Sequence, residues 1–412
     1  MTAQATLSPT PTLTSLRAAL KEELVERILP FWMQRAVDKR NGGYVGLIYE
    51  DGTVVPDAPK SSILNARILW TFSAAYTALG GDDLRTAARR AFEYLSMNFM
   101  DAKHGGVFWT VDAKGEPDDD RKHVYAQAFA IYALAEYHRA TGDTTSLESA
   151  IAIFDLIEAN AYDHVFGGYE EAFNRAWFVL DDARLGADDV DAPKSMNTHL
   201  HLLEAYATLF RVWPNHLLEK RLRELVDIFT NVVAGDGTAH AQQFFESDWT
   251  PVERVVSYGH DIETSWLVLD AADALGDPVV REHAKEMSLR LASSVLDMGF
   301  DEEHGGLFVG TDARGMLDTD KEWWPQAEAV VGFLNAFSES GEDEYLDAMH
   351  ETWSFARRYF RDLEHGEWHR RVSRSGEVRI GHEKVGPWKC PYHNARMCLE
   401  IMARVQPHGL SS

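Results

Sequence analysis

Cysteine is nearly missing: Cys390 and Cys398 are the only two in 412 residues. Two thiols cannot supply a disulfide framework. Their scarcity favours a reducing compartment, so a cytoplasmic location is expected. Long apolar runs are missing as well. No stretch of 18 apolar residues occurs, so the sequence offers nothing to span a bilayer. Positive charge is in deficit, with 40 Lys and Arg against 65 Asp and Glu and a formal net charge of −25. A chain this acidic is a poor partner for nucleic acid or anionic membrane. The Gly-Gly pairs lack the G-x-G-x-x-G spacing, and neither a G-x-x-x-x-G-K-[ST] loop nor a G-x-S-x-G elbow is present, so nucleotide binding and nucleophile-elbow hydrolysis have no support. Residues 1–12 are rich in Thr, Ser and Pro, without a basic or an apolar segment. They read as a frayed tail and not as a signal peptide.

Against these absences stands an ordinary globular composition, 45% hydrophobic and 11% aromatic, with ample material for a large core. A Gly-centred turn recurs along it: Asn41-Gly42-Gly43-Tyr44, His104-Gly105-Gly106-Val107, Phe166-Gly167-Gly168-Tyr169, His304-Gly305-Gly306-Leu307 and His365-Gly366-Glu367-Trp368. A weaker copy, Gly235-Asp236-Gly237-Thr238, fills the remaining gap. The steps between first glycines (Gly237 in the weak copy) are 63, 62, 70, 68 and 61 residues, the signature of a supersecondary repeat. Short aromatic or β-branched runs beside the glycines predict a small hairpin at each.

Between the turns the pattern switches to helical period. Each unit carries a strongly apolar helix and then a more charged one. Ser195 is a plausible N-cap for one apolar helix, whose body continues through Leu202, Leu203, Tyr206, Leu209 and Phe210. Bodies such as Ile68-Leu69-Trp70-Thr71-Phe72 are apolar most of the way round and belong inside. Segments such as 84–98 and 278–296 carry charge on one face and belong outside. Six such pairs predict an all-α protein, an (α/α)6 barrel of twelve helices with short β-hairpins in the loops. An open solenoid would satisfy the same repeat but would leave one face of the inner helices wet. No linker divides the chain, so residues 13–408 read as a single domain after the tail.

If the ring closes, the polar starts of its six inner helices meet at one mouth. Asn65, Arg67, Tyr125, Gln127, Asn197, His201, His260, Glu263, Trp324, Gln326, Glu328, Trp388, His393, Asn394 and Arg396 would gather there. His199 and His201 lie two apart, so only one faces the pocket; His201 is chosen because Asn197, four residues back, shares its face. His260 and Glu263 are three apart, and Trp324 and Glu328 four apart, so each pair can share a face. Trp324 and Trp388 are equally consistent with core packing. Three histidines invite a metal, but no His-x-x-x-His pair and no Cys cluster accompanies them, so none is predicted. Imidazoles beside Trp, Arg, Asn and Glu suit a sugar. Two of them can exchange a proton with a carbon acid while Arg67 and an amide hold the enediolate oxygens. Two bases across one carbon would invert it; one base shuttling between neighbouring carbons would turn aldose into ketose. Rival readings are an inverting glycoside hydrolase using Glu263 and Glu328, and a helical-pair interaction protein without catalysis.

Several stretches carry a resemblance. They are Asn41 to Gly46, Ile63 to Phe72, His123 to Gln127, Ser195 to Tyr206, Gly259 to Glu263, Trp323 to Glu328 and Trp388 to Asn394, at least one in nearly every repeat. In these the chain resembles the N-acylglucosamine 2-epimerase superfamily, and within it the cellobiose 2-epimerases. The resemblance implies an (α/α)6 barrel with no metal and no nucleotide cofactor. It implies proton transfer by His260 and His393, ring opening tied to His201, and sugar binding by Arg67, Tyr125, Asn197 and Glu263, with Trp324 and Trp388 as an aromatic wall. Glu328 joins the expected binding set. Two departures concern the substrate: Cys390 stands where a small residue such as Gly is expected, and the fourth turn is weak. The activity implied is reversible C2 epimerisation at the reducing-end glucose of a β-1,4-linked disaccharide, cellobiose or lactose. The alternative is a mannose 2-epimerase or aldose–ketose isomerase on the same scaffold. The expected partner is a small sugar, met by a monomer or homodimer.

Overall fold

The computed structural model describes residues 7, 10–186, 189–235, 237 and 239–406. Among them run twelve helices: α1 (residues 11–34), α2 (Ser62–Leu79), α3 (residues 82–99), α4 (Val124–Thr141), α5 (Thr144–Asn160), α6 (Met196–Val212), α7 (residues 216–233), α8 (Tyr258–Leu275), α9 (Pro278–Met298), α10 (Trp323–Ser340), α11 (Asp343–Tyr359) and α12 (Tyr392–Arg404). Helices α1, α3 and α7 each include a wide π turn, at 23–28, 95–99 and 229–233.

The even-numbered helices are the buried ones, and all but α12, which carries Arg396 and Arg404, are apolar over most of their surface. In α2 every residue from Ser62 to Ala75 is buried, and in α4 every residue from Val124 to Tyr137. They pack side by side in chain order, and α12 returns to α2, so the ring is closed and the fold is an (α/α)6 barrel. The odd-numbered helices pack outside. In α3, Ala87, Ala88, Ala91 and Tyr94 face inward while Arg85, Arg89 and Arg90 face water. The repeat predicts an outer helix beside each inner one, and the described residues after α12 hold none. Helix α1 supplies that sixth outer member, packing on α12 from the other end of the chain. It begins at Pro11, capped by the Thr10 hydroxyl, and so takes in Pro11 and Thr12, which the sequence assigns to the tail; Leu7 bridges to Val405.

Each inner helix is entered through a two- or three-residue strand that pairs with the next unit: 60–61 with 110–111, 122–123 with 172–173, 194–195 with 244–245, 256–257 with 310–311, and 321–322 with 371–372. The sixth ladder joins Ile48–Tyr49 to Glu383–Val385 and shuts the circle. These ladders stitch neighbouring units together, and the hairpins the sequence suggests are there as well: antiparallel bridges such as Met100 to Val107 and Tyr162 to Tyr169 span the glycine turns, and 110–111, 244–245 and 310–311 each turn back on a strand of their own unit. The last strand residue caps the helix that follows: Ser61, His123, Ser195 and Ser257 each accept a backbone N–H of its first turn.

A buried ion pair anchors five of the six turns. Lys60, Lys122, Lys194, Lys321 and Lys384 reach Asp38, Asp101, Asp163, Asp301 and Asp362 at 2.8, 3.1, 2.6, 3.0 and 2.8 Å. Each Asp lies four residues before the first glycine of its turn. The fourth unit has Val256 at the lysine position and Val233 at the aspartate position, which accounts for its weaker signal. Asp236 and Thr238 of that turn lie outside the described residues. The turn itself needs two residues at positive φ, supplied for example by Gly105 (70°) and Gly106 (69°). In the sixth unit Glu367 takes the second place at φ 60°, held there by Trp32, Lys389 and Asn394 on its carboxylate.

Candidate active site

The N-terminal ends of the inner helices open on a cavity of about 460 Å³. Two layers of side chains line it, one helical turn or about 6 Å apart. The deeper layer comes from the sixth residue of three helices: Arg67 in α2, His201 in α6 and Glu263 in α8. The shallower one comes from the second or third residue: Tyr125 in α4, Asn197 in α6, His260 in α8, Trp324 in α10 and His393 in α12. Trp388, Glu322, Arg370, Leu185, Gly186 and Asp189 form the rim.

Nine of the ten expected site residues thus meet in one cavity. The tenth, Glu328, stands behind it. Its Oε1 lies 2.6 Å from His393 Nδ1, and its Oε2 accepts Trp266 Nε1 at 3.1 Å. This fixes Nδ1 as the protonated nitrogen of a neutral His393 and leaves Nε2 free for the cavity. His201 is held in the same way, by Glu204 at 3.0 Å from Nδ1. The pairing expected between His260 and Glu263 is not made: among the described residues the buried His260 Nδ1 has no partner, and Glu263 turns to Arg396. His260 packs instead against Trp324, ring centres 4.8 Å apart, and Trp324 in turn packs on His393 at 5.5 Å. Gly259 makes that packing possible, since a Cβ there would sit 2.6 Å from the Trp324 ring.

Arg396 is the hub beneath. Its guanidinium contacts Glu204, reaches Glu263 at 2.5 Å and Glu328 at 2.7 Å, and all four side chains are at most 4% exposed. Glu263, Glu328 and His393 bring possible metal ligands within 4.8 Å of one another, but NH2 of Arg396 already bonds both carboxylates and supplies the counter-charge. The same closeness argues against an inverting hydrolase, whose two carboxyls stand about 6.5–9.5 Å apart across the sugar. Arg67 donates to the Tyr125 hydroxyl at 2.9 Å and stacks its guanidinium 4.2 Å from the Phe129 ring centre. Cys390, buried, lies 3.8 Å from Arg67.

Burial dominates the titration of the imidazoles. It takes His260 down to about 3, with His201 adding repulsion, and holds His393 well below its usual range. His201 is lowered by burial too, with Glu204 opposing. All three are neutral near pH 7 and competent as bases. Burial also pushes Glu263 up, with Glu328 adding to it, to about 8. Burial alone would raise Glu204, but Arg396, His201 and Tyr392 outweigh it and hold that carboxylate low.

The remaining polar residues expected at the mouth serve the scaffold. Gln127 accepts from and donates to the backbone of Val107, at 2.7 and 2.8 Å, and Gln326 does the same for Leu307, at 2.8 and 2.9 Å. His199 occupies the equivalent fourth position of α6 and accepts Tyr169 N at 3.0 Å. It is a turn-holder, which explains why His201 and not His199 faces the cavity. Asn65 bonds Ser61 O, and Asn394 bonds Glu367. Glu204 was not singled out by the sequence, although it stands three residues after His201, the same offset that drew attention to His260 and Glu263. Tyr392, whose hydroxyl donates to Glu204 at 2.5 Å, gave no signal, because its role depends on a helix 188 residues away.

Comparison with known proteins places the chain in a class. The profile of the N-acylglucosamine 2-epimerase (GlcNAc 2-epimerase) family matches residues 42–396, and the chain belongs to that family. It is an isomerase of the carbohydrate-epimerase kind, and it groups with chains named cellobiose 2-epimerase. One, from Bacteroides fragilis, is 43% identical over 94% of this chain and 98% of its own length. The structure of another, from Bacillus thermoamylovorans, superimposes with a TM-score of 0.90 at 39% identity, covering 95% of this chain and 100% of that one. A D-mannose isomerase, 20% identical with a TM-score of 0.82 over 96% of this chain and 100% of its own, shares the fold. Among the described residues no helix is long and apolar enough to cross a membrane.

Proposed function

We propose that this chain catalyses the reversible C2 epimerisation of the reducing-end glucose of β-1,4-linked disaccharides, converting cellobiose to glucosyl-mannose and lactose to epilactose. The observation that carries the reading is the pair of imidazoles, His260 and His393, packed against one indole and open to one cavity. The relatives named cellobiose 2-epimerase support it.

The reducing-end ring opens first. His201, with Nδ1 held by Glu204, presents Nε2 to move the proton between the C1 hydroxyl and the ring oxygen. One of His260 and His393 then takes the C2 proton in its neutral form; the other, neutral in the empty site, must first take up a proton from solvent before it can act as the acid. The electron pair of the broken C–H bond moves into a cis-enediolate, whose oxygens lie within reach of Arg67, Tyr125 and Asn197. Rotation about C2–C3 offers the opposite face of C2 to the protonated imidazole, which returns a proton. The two histidines have exchanged states, and the reverse reaction restores them. Glu328 on Nδ1 stabilises the imidazolium form of His393 during its turn. Return of the proton to C1 from the same intermediate gives the ketose as a slow side product.

The test is incubation with cellobiose in D2O, followed by NMR. Glucosyl-mannose carrying deuterium at C2 is expected. Turnover of mannose with none of cellobiose would refute the disaccharide reading, and release of free glucose would refute the epimerase reading.

A further inference from the structure

The chemistry described above uses the two lower layers of the cavity and leaves the charged residues of the rim without a task. There Arg370 precedes the strand Arg371–Val372, whose ladder with Lys321–Glu322 sets it beside the entry to α10. Its NH1 donates to Glu383, on the strand that closes the ring. The guanidinium carbon lies 5.8 Å from the centre of the Trp323 ring. Nε is buried without a partner, while the side chain as a whole keeps 23% of its exposure. Nη1 is therefore held by Glu383 and Nε is shut off from the cavity, so the Nη2 end of the fork is what the rim offers, and among the described residues it has no hydrogen-bond partner.

The depth of the cavity assigns an occupant. The reacting carbon must lie between His260 and His393, at the second and third residues of the inner helices. Below them Arg67, His201 and Glu263 fill the next turn, and the Arg396 hub closes the floor. A hexose whose C2 is at that level spends the lower layers, so a sugar joined to its O4 has only the outward direction left. That direction reaches strand level, where Arg370 and Glu322 stand. Glu322 Oε2 already accepts Trp324 Nε1 at 3.0 Å and steadies the indole.

We infer that Arg370 is a specificity-determining residue: its free N–H groups donate to hydroxyls of the distal hexose, so that it favours disaccharides over monosaccharides. The inference rests on the disaccharide reading above. A hydroxyl bonded to a cationic donor is a strong partner, so losing it weakens binding by about tenfold. Cellobiitol, the reduced disaccharide, keeps the distal glucose and cannot be turned over, so its affinity reads this contact apart from catalysis.

The experiment titrates cellobiitol into the full chain and into Arg370→Met and Arg370→Lys, and compares kcat/KM on cellobiose with that on mannose. Arg370→Lys keeps an ion pair with Glu383 and guards against a folding failure in Arg370→Met. The expected result is a cellobiitol Kd raised about tenfold in Arg370→Met and partly restored in Arg370→Lys, with cellobiose losing about tenfold more kcat/KM than mannose. Unchanged cellobiitol affinity in the folded variants, or equal losses on both sugars, would overturn it. Binding of cellobiitol through Arg370 by a chain that turns over no cellobiose would sink the proposed reaction and leave this contact standing.

Discussion

Three buried carboxylates, Glu204, Glu263 and Glu328, close on the single guanidinium of Arg396. One positive charge in a low-dielectric pocket cannot hold all three ionised, so one of them keeps its proton near neutrality. Burial raises both Glu263 and Glu328, and Glu263, with Glu328 beside it, goes further, to about 8, so the shared proton sits mainly there, whereas Arg396, His201 and Tyr392 hold Glu204 ionised. Replacement of Glu263 by Gln then copies what is already there. The amide oxygen accepts from Arg396 as the carboxyl oxygen does, and the amide N–H stands in for the acid O–H. Replacement of Glu204 by Gln removes a charge that is used.

The magnitude follows from linkage. A carboxyl whose folded pKa is raised gives stability that is complete below its unfolded value near 4.5 and is lost as pH rises through about 8. At pH 7 that loss is about 3 kcal/mol, and an amide does not suffer it. Allowing about 1 kcal/mol for the weaker Arg396 contact, Glu263→Gln should be near wild type in stability at pH 5 and about 2 kcal/mol more stable at pH 7. Glu204→Gln should lose about 1.5–3 kcal/mol at pH 7, since the hydrogen bonds that Arg396, His201 and Tyr392 make to a charged acceptor are weakened. Urea denaturation midpoints of both variants at the two pH values decide it. A Glu263→Gln protein destabilised at pH 7 as much as Glu204→Gln would refute the charge count.

Two further outcomes are expected. Gly259→Ala must displace the Trp324 ring from the position where it packs on both His260 and His393; a shift of that size should lower kcat/KM by about 10²-fold with the fold intact by circular dichroism. His199→Gln should fit, because glutamine fills the equivalent place in α4 and α10. Burial lowers His199 to about 4, so the stability it contributes is complete above its unfolded value near 6.5 and is lost as pH falls toward 4. The variant should therefore match wild type at pH 7.5 and exceed it by about 2 kcal/mol at pH 5, read from the same denaturation midpoints.

The ring was legible because its cause is local. Inner helices announce themselves by apolarity on every side, and the glycine turns by a backbone conformation that few other residues accept. The lysine–aspartate anchors repeat just as regularly. They passed unnoticed because each partner alone is an ordinary charged residue and only the fold shows that both are buried. The closure by α1 was hidden for a related reason: a repeat read from first turn to last does not reveal that its missing outer helix precedes the first turn.

Within the site, the residues that face the cavity were found and their supports were misassigned, and geometry explains the split. Spacing along one helix tells which side chains share a face, so Asn197 with His201 could be read directly. It does not tell which carboxylate turns toward which imidazole. Glu263 has the right offset from His260, yet Arg396, arriving from α12, binds it at 2.5 Å and draws it away. Glu328 has the right offset from Trp324, yet its Oε1 meets His393 from that same helix at 2.6 Å. Both outcomes are set by the helix whose return closes the circle, 133 and 65 residues distant from the groups it captures. A buried guanidinium competes for any carboxylate within reach, because leaving it unpaired costs more than breaking a weak i,i+3 contact. Arg396 is therefore the residue from which the carboxylate assignments of the site follow, and sequence spacing alone gave it no more weight than its neighbours.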